Sequence, residues 1–166
     1  MSAWLPRAVV MTVVQIAARL LLALAVTAWP LQSPTFRWLA IAVVVLIAII
    51  WGGIDGIRDA KAHPDPDDYA DLTMAWLKTG AFAGFFACLI CWIVGTAGMN
   101  GVGQASFPIE IIAGTSFITL LVYVPGFFGV SLGRFIVRRE QRKAAGDADE
   151  DWSVHAQPTQ PGLAKA

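Results

Sequence analysis

Charge is scarce in this chain. Only 14% of its 166 residues are Asp, Glu, Lys or Arg, against roughly 25% in soluble domains. Twelve bases and twelve acids cancel, so bulk charge offers nothing to a nucleic acid and none is expected as partner. Histidine and cysteine number two each. Cys88 and Cys91 form a C-L-I-C run with no His beside it, whereas a zinc site needs about four deprotonated ligands. The two thiols read as small packing residues, with a redox pair as the alternative. No Gly-rich phosphate loop, zinc-binding helix or Ser nucleophile elbow occurs. The chain therefore reads as a non-enzyme without cofactor or metal.

Apolar sequence fills the space that charge leaves. Hydrophobic residues make up 57% of the chain, and its mean hydropathy is +0.62. About 20 apolar residues in a helix cross 30 Å of hydrocarbon, and four segments are long enough. Nothing alternates like a barrel strand, so each span must be helical to satisfy its own backbone in lipid. The sequence predicts an all-α membrane protein with four transmembrane helices, at about 8–29, 38–62, 67–97 and 108–143. From Ala144 onward the chain turns polar, Pro-containing and aperiodic, which predicts a disordered cytoplasmic tail over 144–166.

Orientation follows from Lys and Arg. Arg7, Arg58, Lys61, Lys78, Arg134, Arg138, Arg139, Arg142 and Lys143 fall on one side of this topology, and only Arg37 on the other. Both termini are expected in the cytoplasm. Trp29, Trp38 and Trp76 lie near segment ends and read as interfacial anchors. The run Arg134, Arg138, Arg139, Arg142, Lys143 reads as a topology anchor in contact with lipid headgroups.

Arg19 interrupts the first apolar segment. Thr12, Gln15 and Arg19 fall at i, i+3 and i+7, one polar stripe on a helix. A central Arg costs about 2.5–3.5 kcal/mol on insertion, which ten Leu, Ile and Val residues at roughly 0.3–0.6 each can offset. Tolerance therefore does not require function, yet an intramembrane charge marks a candidate pathway facing the bundle interior. Its possible partners are Glu110, at the outer end of helix four, and Asp55, at the inner end of helix two. Glu110 also suits a helix first turn as a cap. Pro125, in "VPGFFGVSLG", interrupts helix four as Pro does along many transport pathways. Arg19, Gln15, Asp55, Glu110 and Pro125 are the pathway candidates.

Small faces recur as well. Gly80-x-x-x-Gly84 and Gly129-x-x-x-Gly133 allow close helix contact, within the bundle or at a dimer seam. "GIDGIR" at 53–58 and "GVSLGR" at 129–134 share Gly and Arg at one spacing, a weak hint of repetition.

Six of the twelve acids fall in "GGIDGIRDAKAHPDPDDYADL", residues 52–72. Helix two is expected to end near Ala62, because Pro64 biases His63 away from helix. Asp67 or Asp68 is then expected to cap helix three. "DPDDYADL" lacks the central Gly and terminal Glu of a calcium loop. Asp65, Asp67 and Asp68 remain as candidates for docking a partner.

Residues 51–77 resemble a known pattern. Trp51-Gly52, Asp55-Gly56, Asp59-Ala60, Pro64-Asp65-Pro66, Asp71-Leu72 and Trp76-Leu77 are similar to the central hairpin of small actinobacterial membrane proteins. Those proteins are labelled as the bacterial four-helix branch of the drug/metabolite transporter superfamily. The resemblance implies a small transporter in the bacterial plasma membrane, of unstated substrate, for which a homo-oligomer such as a dimer is expected. Small multidrug resistance proteins of that superfamily use an acidic residue in helix one. Arg19 stands in helix one here, so their proton exchange does not transfer. The alternative is a non-transporting adaptor that docks a partner through its acidic turn and tail.

Overall fold

The structure, a computed structural model, describes residues 4–63, 65, 68–99 and 101–155, with side chains described as far as Gly146. Its four helices are each long and apolar enough to cross a membrane. α1 spans Trp4–Ala28. It stops where Trp29 precedes Pro30 and leaves helical geometry (φ −132°, ψ 74°). A single 3-10 turn, Pro30–Gln32, leads into α2, Ser33–Ala62. Pro34 sits in the first turn of α2, where its missing N–H costs nothing, so α2 begins earlier than apolarity alone suggests. It ends at Ala62 as the sequence predicts, with His63 extended at φ −125°.

α3 spans Leu72–Thr96, five residues short of the expected start. Its cap is Asp71, not Asp67 or Asp68: the Asp71 carboxylate accepts the Met74 N–H at 3.0 Å. α4 occupies 107–155, as one turn (Phe107–Ile109), a π segment (Glu110–Gly114) and a long α-helix (Thr115–His155). The disordered tail expected from Ala144 is thus helical as far as His155, and 156–166 lie outside the described residues. Ala144, Ala145 and Ala148 are strong helix formers, and they extend a helix already nucleated in the bundle.

The extensive contacts run α2 with α4, α4 with α3, α3 with α1, and more lightly α1 with α2. α2 and α4 run in the same direction and meet backbone to backbone. A Cβ at Gly52 would collide with the Gly126 carbonyl, and one at Gly56 with that of Val130. Reciprocally, a Cβ at Gly129 would strike Ile49 O and one at Gly133 would strike Gly53 O. These four contacts exchange when 49, 52, 53 and 56 are mapped onto 126, 129, 130 and 133. The seam therefore has local two-fold character, one residue out of register with the sequence match between 53–58 and 129–134.

Gly80 and Gly84 of α3 face the carbonyls of Thr119 and Thr115, at 2.8 and 2.7 Å from where a Cβ would stand. Both glycine motifs are consequently occupied within the bundle. Trp76 is no interfacial anchor. It is fully buried, because the missing side chain of Gly126 leaves room for its ring. Trp29 and Trp38 are exposed near the α1–α2 turn.

Candidate functional site

α1 carries Thr12, Gln15 and Arg19 along one face. Thr12 and Gln15 are buried, and the Arg19 side chain is 31% exposed. Between the two acids that the sequence offers as its partner, the geometry selects Glu110. Arg19 Nη1 donates to Glu110 Oε1, and the Glu110 side chain is only 9% exposed. Glu110 is therefore no exposed cap. It opens the π segment of α4, whose i→i+5 bonding changes the angular phase of the side chains around it. Asp55 belongs to a different pair. The Arg7 guanidinium approaches it side-on, Nε to Oδ2 at 2.9 Å and Nη2 to Oδ1 at 3.1 Å.

Arg19 stands between two cavities. One, of about 260 Å³, is bounded by Leu22, Glu110 and residues 101–104. That loop folds inward because Gly101 (φ 87°) and Gly103 (φ 57°) adopt left-handed backbone. Between them Val102 is buried beside Ala23 and Cys91. The other cavity, of about 220 Å³, lies among α1, α2 and α4. Its lining is apolar apart from Gln15, Arg19 and Arg37. The Gln15 Nε2 is buried without a hydrogen-bond partner.

Cys88 and Cys91 are fully buried and unbonded, and both lie within interaction range of Arg19. Cys88 fills the space that Gly114 leaves open. The buried Thr115 hydroxyl beside it lacks a good partner. Pro125 lines neither cavity. It removes the helical donor for the carbonyl of Leu121, which does line the 220 Å³ cavity.

No family model matches the chain, and no curated protein sequence matches it. What can be said of its chemistry rests on geometry.

At the opposite end of the bundle, Asp59 of α2 holds the hairpin to α4. Arg134 reaches its Oδ2 through Nε at 3.0 Å and Nη2 at 2.5 Å. The Ala70 N–H donates to Asp59 Oδ1 at 3.2 Å, and Arg134 donates to the Ala70 carbonyl at 2.8 Å. Tyr69 lies under Arg134 and Arg138, 4.6 and 4.9 Å from its ring centroid, and its hydroxyl accepts from Arg138 Nε at 3.0 Å. Of the basic run, Arg134 and Arg138 therefore turn onto the hairpin, while Arg139, Arg142 and Lys143 are exposed. Asp65 and Asp68 are exposed as well, and Asp67 lies outside the described residues.

Reasoning from sequence singled out Arg19, Gln15 and Glu110, which the fold brings together. It missed the ion-pair roles of Arg7 and Asp59, the stacking of Tyr69, and Arg37 as a cavity residue. Only Arg37 carried a usable signal, as the one base on the wrong side of the charge bias.

Proposed function

We propose that this chain is a small multi-pass transporter of the drug/metabolite type, seated in the bacterial plasma membrane with both termini inside. One observation carries the reading: a part-buried Arg19–Glu110 pair stands between a cavity at the 101–104 loop and a cavity among α1, α2 and α4. A solute passing from one to the other meets both charges, and a charged solute competes with the pair for either member. The pair then acts as a gate whose closed form is self-neutralising. Four helices enclose little volume, which favours a homo-oligomer. Because the Gly80–Gly84 and Gly129–Gly133 faces are occupied internally, self-association falls to the lipid-facing surfaces.

Flux through reconstituted vesicles tests this. Vesicles containing the protein are expected to release trapped cationic, zwitterionic or anionic amphiphiles faster than protein-free vesicles, for at least one of the three. The double variant Arg19→Leu/Glu110→Leu keeps an apolar barrier there but leaves a charged solute nothing to displace and strands no charge, and should return release to the protein-free rate. Equal release from protein-containing and protein-free vesicles for all three probes overturns the reading.

A further inference from the structure

The glycine seam joins α2 to α4 only over residues 49–56 and 126–133. Toward the outer end the same two helices part around the 220 Å³ cavity, which takes Arg37, Ile41 and Val44 from α2 and Phe117, Ile118 and Leu121 from α4. Arg37 and Phe117 are exposed, so the cavity opens sideways, where the apolar exterior of the bundle meets lipid.

Its electrostatics are unbalanced. Arg19 is neutralised by Glu110, whereas Arg37 has no acidic partner among the described residues. One positive charge is left over at the cavity. Gln15 adds an uncharged polar side chain to the wall. A carboxylate matches that charge, because it forms charge-assisted, often bidentate bonds with guanidinium. The remaining wall is apolar. A volume of about 220 Å³ falls below the roughly 300–1,000 Å³ that enclose whole drug-sized ligands. It has room for one head and the start of a single chain, with the rest of the chain in the bilayer.

We propose that this cavity binds a single-chain, monoanionic carboxylate amphiphile that enters from the bilayer. Arg37 and Arg19 hold its head, and its chain lies along Ile41, Phe117 and Leu121. The proposal names the substrate class of the transport reading and rests on that reading for its purpose.

The test is equilibrium binding to the full chain in phosphatidylcholine nanodiscs. The probe is 11-(dansylamino)undecanoic acid, with its methyl ester as the neutral counterpart. The acid should bind saturably and at least about tenfold more tightly than the ester, the worth of one charge-assisted contact. Arg37→Gln should weaken the acid about tenfold and leave the ester unchanged. Arg37 is exposed and unpaired, so this variant should keep the wild-type unfolding midpoint. Ile41→Trp, which fills the cavity from its rim, should abolish saturable binding of both probes. Equal binding of acid and ester, or an unaltered Arg37→Gln, overturns the proposal. So does displacement of the acid by stoichiometric phosphatidylglycerol, which would make the cavity a two-chain lipid site. Binding without flux retains the site and overturns the transporter; flux of a cationic probe without acid binding does the reverse.

Discussion

Arg19 keeps its place in an apolar bundle because Glu110 neutralises it, and the dependence is unequal in the two directions. Glu110 is nearly buried and Arg19 is 31% exposed, so the acid has less access to water if its partner goes. Removing one member of a buried pair costs about 3–5 kcal/mol, whereas replacing both by apolar residues is often neutral or stabilising. Arg19→Leu is expected to cost about 3–5 kcal/mol by thermal or denaturant unfolding in detergent. Glu110→Leu should cost less, because the long Arg stem can carry its charge toward the outer surface. The double variant should recover most of the loss; if its loss equals the sum of the singles, the two residues are not coupled. Arg19 was legible because any charge inside an apolar run stands out. Its partner was not, since the choice between Glu110 and Asp55 depends on the π segment and on Arg7 taking Asp55. The Asp59–Arg134 pair was hidden for another reason: in an acid-rich turn each carboxylate looks solvated.

At the scale of the helices, small residues do what large ones do in soluble cores. Apolar side chains gain little by leaving lipid for protein, so association relies on close packing. Gly52, Gly56, Gly129 and Gly133 allow the α2 and α4 backbones to touch. Gly133→Ala places a methyl against the backbone of Gly53 and Ile57, where no flexible side chain can move aside. Overpacking of that kind costs about 1–3 kcal/mol. Gly146→Ala is the same substitution in the same helix with nothing within 4 Å, and should stabilise by roughly 0.5–1 kcal/mol through helix propensity. Opposite shifts in the unfolding midpoint check the pair; a fall for both would mean that propensity and crowding are misassigned. The four spans and the end of α2 could be read from sequence because length, apolarity and Pro64 each act locally. The start of α3 could not, since four acids compete for one cap and Asp71 wins by position. Several of the residues that carry the resemblance at 51–77 hold the bundle together. Gly52 and Gly56 form the seam, Asp55 meets Arg7, Asp59 meets Arg134, and Trp76 fills the space over Gly126. That pattern reports how the helices pack, and the cavity above it is built from residues outside it.

For the molecule as a whole, the open quantity is its direction in the membrane, and the charge bias of nine to one sets an expectation. Arg7 and Arg134 are tied to carboxylates in the folded bundle, which at first sight removes them from the count. The positive-inside rule acts on the chain during insertion, before those pairs form, and acids weigh little in it. All nine therefore count, and the six acids of 52–72 do not oppose them. The lone exception, Arg37, lines the cavity among α1, α2 and α4. A single orientation is therefore expected, with the Pro30–Gln32 turn outside and the end of α4 inside. In a Cys88→Ala/Cys91→Ala background, Leu31→Cys places a thiol at a position that is 99% exposed. It should react with a membrane-impermeant maleimide in intact cells. Arg142→Cys should react only after the cells are permeabilised. Neutralising Arg139 and Lys143 together should leave both patterns unchanged, because the remaining bases still outnumber Arg37. Labelling of both thiols in intact cells would mean mixed insertion, and labelling of Arg142→Cys alone would mean that the chain is inverted. Either result would also move the 101–104 loop, and the cavity it bounds, from the outer face to the inner one.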